Sequence, residues 1–166
     1  MTVSSLRILE VRPDDSPLIE QIATITHKEF HHLRPSETLS ERIEKFRQRV
    51  SRHADSSSVV FAALQEDLLV GTISIVEKDL DTKTLQPWLA SLWVAPSHRH
   101  QGIATTLLHH CEAFLCNHHI YRIYLFTDSI PAFYQKLGWN TLEKEEFNGH
   151  QITIFYKDLH YRDAHN

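Results

Sequence analysis

The chain predicts an α/β domain built on a mixed central sheet with helices on both faces. Residues 88–95 are apolar at both alternating positions, as a strand covered on two sides must be. They lead through a loop containing Gly102 into a helical stripe of Ile103, Leu107, Cys111, Phe114 and Leu115, and then into a second strand at 121–127. Strand, helix and strand in that order form a βαβ unit with parallel strands and a right-handed crossover. The β-branched runs 59–64 and 68–76, split by Gln65-Glu66-Asp67, read as an antiparallel hairpin, which makes the sheet mixed.

The remaining elements follow in chain order. Leu6, Ile8 and Val11 sit near strand spacing, and Arg12-Pro13-Asp14-Asp15-Ser16-Pro17 turns into a helix with proline in its first turn. Leu18, Ile22, Ile25, Phe30 and Leu33 carry that helix forward on one apolar face until Pro35 breaks it. Thr38 and Glu41 form a capping box ahead of a second stripe, Leu39, Ile43, Phe46 and Val50. Ser56-Ser57-Ser58 reads as loop. A short helix over 131–137 stops at Gly138, and segments 139–146 and 151–156 close as a hairpin around Asn148-Gly149. Residues 158–166 are expected to fray. No repeat or composition break divides the chain, so residues 1–166 are read as a single domain.

Composition narrows the function. Apolar residues at 42% and charged residues at 23% are a globular balance. A net charge of -4 without a lysine–arginine stripe argues against nucleic acid as a partner. No stretch is long and apolar enough for a membrane span, and the first ten residues lack the order of a secretory signal, so the cytoplasm is the expected compartment. Cys111 and Cys116 point in different directions on one helix and are read as reduced thiols. The histidine pairs 31–32, 109–110 and 118–119 diverge by about 100° on a helix, so no metal site is expected.

The loop Pro96-Ser97-His98-Arg99-His100-Gln101-Gly102-Ile103-Ala104 places backbone N–H groups at a helix start, where an anion is favoured. Gly102, lacking a Cβ, lets a diphosphate approach the backbone. Neither the dinucleotide-binding nor the P-loop glycine pattern is present among the four glycines. His98 and His100 either add charge beside the phosphates or face solvent.

Arg99-His100-Gln101-Gly102-Ile103-Ala104 resembles the R/Q-x-x-G-x-G/A signature of the GNAT N-acetyltransferase superfamily, between strand and helix as that family has it. Downstream, Ala132-Phe133-Tyr134-Gln135-Lys136-Leu137-Gly138-Trp139 resembles the family's second motif. The resemblance covers residues 57–157 well and 6–50 only as a pattern of strand and two helices. It implies a GNAT fold that takes acetyl-coenzyme A as co-substrate. The backbone of Leu92, Trp93 and Val94 would pair with the pantetheine amides, and Arg99, His100, Gln101, Gly102, Ile103 and Ala104 would hold the pyrophosphate. The position of a common family asparagine is occupied by Thr127, followed by Asp128, so Asp128 enters the set of cofactor-contact residues.

The implied reaction moves acetyl to a primary amine of a small molecule, protein or peptide by direct attack in a ternary complex. Tyr134 resembles the family's general acid for the leaving thiolate; its other reading is a ring that packs the short helix on the sheet. Glu77, ending the strand 70–76, takes the general-base position, or is a solvated strand-end residue. The acidic stretch Glu77, Asp79 and Asp81 would attract a cationic amine. Trp88, at a strand entry, either lines the substrate pocket or belongs to the core. The alternative function is a non-catalytic coenzyme A-binding regulatory module, and the expected assembly is a monomer or homodimer.

Overall fold

The computed structural model describes residues 5–51, 58–81 and 83–160. Among them the elements run β1 (Arg7–Glu10), α1 (Ser16–Glu29), α2 (Leu39–Val50), β2 (Val59–Gln65), β3 (Leu68–Val76), β4 (Trp88–Val94), α3 (Ile103–Asn117), β5 (Arg122–Thr127), α4 (Pro131–Lys136), β6 (Asn140–Phe147) and β7 (His150–Asp158). The strands form one sheet in the order β1-β2-β3-β4-β5-β7-β6. Only β4 and β5 are parallel, as the βαβ reading requires; every other neighbouring pair is antiparallel. The fold is α/β with a mixed sheet.

Alternation along β2 separates the two faces. Val60 and Ala62 meet Ile19, Ile22 and Phe46 from α1 and α2. Val59, Phe61 and Ala63 meet Leu107, Cys111 and Leu115 from α3. Gly71 sets the closeness of α3, because a Cβ there would lie 3.1 Å from Ile103 Cγ2 and Leu107 Cδ1 and 3.2 Å from the Trp93 carbonyl oxygen.

Turn chemistry follows the residues. The β2–β3 hairpin turns on Glu66 and Asp67, and the β6–β7 hairpin on Asn148 and Gly149, all with positive φ as a two-residue hairpin loop demands. The capping box is complete: Glu41 N donates to Thr38 Oγ1 and Thr38 N to Glu41 Oε1, both at 3.1 Å. No described helix is long and apolar enough to cross a membrane.

Two expectations need correction, and the open reading of Trp88 is decided. Helix α1 ends at Glu29, not beside Pro35; Leu33, Arg34 and Glu37 then donate to the carbonyls of Phe30, His31 and Arg34, winding the chain in turns. Leu33 stays buried, but with Val76, Leu80 and Trp88, and Asn148 Nδ2 donates to its carbonyl oxygen at 2.7 Å. The tail starts later than expected: Asp158 ends β7 in a two-bond pair with Arg122 at 2.6 and 3.0 Å, and Leu159 is buried. Trp88 is a core residue, fully buried. Residues 56, 57 and 161–166, read as loop and frayed tail, lie outside the described residues.

Candidate active site

Two irregularities in β4 create the site. Thr72 of β3 faces Trp93 and Ser74 faces Ala90, so Ser91 and Leu92 together oppose the single residue Ile73. This is a β-bulge, with Ser91 at φ 58°. The bulge breaks the alternation and directs Ser91 toward α2, where Arg42 and Arg49 donate to its hydroxyl. The second irregularity is divergence: β4 and β5 are in register only at Trp88 and Tyr124. Beyond that pair the strands open, and a cavity of about 630 Å³ occupies the gap.

Residues from both faces of the sheet wall this cavity. Arg34, Arg42 and Ser91 stand on the α1–α2 side, and Ile103, Leu108 and Tyr134 on the α3–α4 side. Of the residues read from the sequence, Leu92, Trp93, Val94, Arg99 and His100 line it, as do Gly102, Ile103, Ala104, Asp128 and Tyr134. Gln101 is exposed and outside the wall. Glu77 is also exposed and outside it, just past the end of β3; the wall carboxylates are Glu29, Asp79 and Asp128.

At one end of the cavity, Gly102 caps α3 in the left-handed conformation with φ 81° and no side-chain hydrogen bond. The first-turn N–H groups of a helix have no partner within the helix, so this start offers donors and a positive dipole end to an anion. No protein atom lies within 4 Å of where a Gly102 Cβ would project. Arg99 is tied to the strand through Nε, which donates to the Val94 carbonyl at 3.0 Å, and its guanidinium lies 3.8 Å from Glu29. His98 joins the wall, and its Nδ1 lies 2.8 Å from the Ser97 hydroxyl.

Tyr134 answers to both of its readings. Its ring packs edge-on against Phe133 and Trp139, with centroids 5.1 and 6.1 Å away, and it is 6% exposed. Yet it lines the cavity, and its hydroxyl has no hydrogen-bond partner among the described residues. Burial raises the phenol pKa well above its ordinary value, which keeps the proton on oxygen until a ligand takes it. Thr127, in the asparagine position, accepts from the backbone N–H of Ser129 and Ile130 at 3.3 Å each and so shapes the entry to α4. Asp128 accepts from or shares a proton with His32 Nε2 at 2.9 Å. Both cysteines are buried, in no disulfide and away from the cavity wall, and burial raises Cys111 further from its thiolate form.

Several wall residues were not singled out in the sequence. Ser91 is the one polar residue within β4, and Arg42 lies in phase with Phe46, four residues on, so its burial was readable from helical spacing. Arg34, in the wall, and His32, which meets the wall residue Asp128, had no such signal, because the turns after α1 bring them in.

Comparison with known proteins bears on this geometry. A sequence search of curated proteins finds no match. Among solved structures, an aminoglycoside 6'-N-acetyltransferase complexed with coenzyme A superposes with TM-score 0.73 at 18% identity, covering 92% of this chain and 96% of that one. A GNAT-family acetyltransferase from Staphylococcus aureus MU50 gives 0.70 at 16%, covering 94% and 100%. An acetyltransferase from Thermus thermophilus gives 0.65 at 19%, covering 96% and 100%. These likenesses establish the fold. The model of the acetyltransferase (GNAT) family matches residues 19–139, most of the chain and all of the cavity's β4, α3 and α4 walls, so this protein belongs to that acetyltransferase family.

Proposed function

We propose that this protein transfers the acetyl group of acetyl-coenzyme A to a primary amine by direct attack in a ternary complex. The observation that carries the reading is the single cavity walled from both faces of the opened sheet. Coenzyme A enters on the α3 side, with its pyrophosphate at the Gly102–Ala104 backbone and its pantetheine along Leu92, Trp93 and Val94. The amine arrives from the α1–α2 side. Direct attack is favoured because neither buried cysteine lines the cavity.

In the reaction the amine nitrogen bonds to the thioester carbon and the C–S bond breaks. The backbone freed by the β4 bulge supplies N–H donors for the carbonyl oxygen. Tyr134 gives its phenolic proton to the departing sulfur. The proton released by nitrogen goes to a base, which the sequence assigned to Glu77. The cavity supports Asp128 better, since it is in the wall and meets His32 Nε2 at 2.9 Å instead of a guanidinium.

Calorimetric titration of acetyl-coenzyme A tests the reading without a known acceptor. Micromolar binding to the protein, lost in Gly102→Glu, is the expected result. Absence of binding overturns it. Binding with no thiol release from any amine in a broad panel replaces transfer with a binding-only module.

A further inference from the structure

Beneath the acceptor side of the cavity, four cations gather around two carboxylates. Arg34 pairs with Asp79 at 3.3 Å, while Glu37 is shared between Lys45 and Arg42, the latter at 3.4 Å. Arg49 makes no ion pair among the described residues; it donates to the hydroxyls of Ser74 at 3.2 Å and Ser91 at 3.1 Å. Burial and the neighbouring Arg42 pull its pKa down to about 9. A buried excess of positive charge is costly unless an anion answers it.

Ser91 shows where the anion belongs. Its hydroxyl accepts from Arg42 Nη2 at 2.9 Å and from Arg49 Nη1 at 3.1 Å. A hydroxyl has two acceptor lone pairs and one proton, so both lone pairs are taken and the O–H must donate elsewhere. Among the described residues it donates to none. Thr26 makes the contrast: it too accepts from Arg42, at 3.2 Å, but gives its proton to the Ile22 carbonyl at 2.9 Å. Ser91 lines the cavity beside Arg42, and two cationic donors polarise its O–H toward whatever sits there. The thioester oxygen is neutral and would leave the charge excess unanswered. The pyrophosphate belongs at the α3 start. The acidic stretch does not reverse this balance, because Glu77 is exposed and Asp79 is held by Arg34 through its carbonyl at 2.7 Å and its carboxylate.

Resting on the acetyl-transfer reading, we propose that the acceptor is a small amino carboxylate whose carboxylate is received by the Ser91 hydroxyl and the Arg42 guanidinium while its amine faces the thioester. The aminoglycoside enzyme of similar fold therefore does not predict the acceptor class here.

The test compares free amino acids with their C-terminal amides and their decarboxylated amines, reading kcat/KM from thiol release, after acetyl-coenzyme A binding has been measured by calorimetry. Arg42 also anchors α2, so Ser91→Ala, which removes one hydroxyl, is the informative variant. The wild-type protein is expected to prefer the carboxylate by roughly ten- to a hundredfold, the contribution of a charge-assisted hydrogen bond. Ser91→Ala, shown folded by its melting temperature, should narrow that ratio to below about threefold, mainly through KM for the amino acid. Equal or better turnover of the amides or decarboxylated amines overturns the inference and leaves acetyl transfer standing. So does a preference that survives in Ser91→Ala, or binding of acetyl-coenzyme A with no amino carboxylate used. No binding of acetyl-coenzyme A overturns the acetyl-transfer reading and this inference with it.

Discussion

Tyr134 is held by three aromatic neighbours and also lines the cavity, so the roles of ring and hydroxyl can be tested apart. Tyr134→Phe keeps the ring, so its urea stability should match the parent within about 0.5 kcal/mol. Steady-state kinetics should show kcat lowered by roughly a hundredfold, the usual worth of a positioned acid. Unchanged kcat would reduce Tyr134 to a packing residue. The base is decided by the same kind of measurement. Asp128→Asn should lower kcat/KM by about tenfold or more, and Glu77→Gln by under about twofold. The opposite order would return the base to Glu77, acting through water from outside the wall.

The helix α3 is pressed onto the sheet over Gly71, and its interior contacts decide how firmly the cavity's α3 wall is placed. Gly71→Val would drive its side chain into Ile103, Leu107 and the rigid Trp93 carbonyl. A loss of about 2 kcal/mol in urea unfolding is expected from such overpacking. The same helix carries a pH response. His110 stacks edge-on against Phe61 with centroids 4.6 Å apart, and burial lowers its pKa. The folded chain therefore binds this proton less readily than the unfolded one. Its contribution is intact above the unfolded value of about 6.5 and is lost as pH falls through the lowered folded value. Urea melts at about pH 7.5 and about pH 5.5 should show a smaller acid loss for His110→Gln than for the parent.

A cavity that penetrates between two parallel strands couples ligand binding to the stability of the entire sheet. Acetyl-coenzyme A at about 100 times its Kd should add about 2.7 kcal/mol, and so raise Tm by roughly 5 to 10 °C. Gly102→Glu should abolish that increase, because a carboxylate there opposes the phosphates while the added side chain itself meets no protein atom. A Tm rise retained in the variant would move the phosphate site elsewhere. The two faces of the sheet also divide the cavity wall: α3 and α4 line one side, and α2 with the turns after α1 lines the other.

Local patterns were enough for most of the architecture. The β-branched runs of β2 and β3, the apolar run of β4, the Thr38–Glu41 box and the Asn148-Gly149 turn depend on near neighbours, and each formed as an element where it was read. That the loop before α3 and Tyr134 share one cavity wall fits a related reason: a short motif between a strand and a helix carries its geometry with it. Where α1 stops was not legible, since Leu33 keeps the apolar period but finds its partners in Trp88, Leu80 and Asn148, far along the chain. The acceptor side was hidden for the same cause. Ser91 turns toward α2 through a bulge measured against β3, and it meets Arg42 and Arg49, as His32 meets Asp128, across separations that no local period records. Short-range spacing set the elements and the loop before α3, whereas the α2 side of the cavity arises where distant elements converge and must satisfy one another's charges and hydrogen bonds.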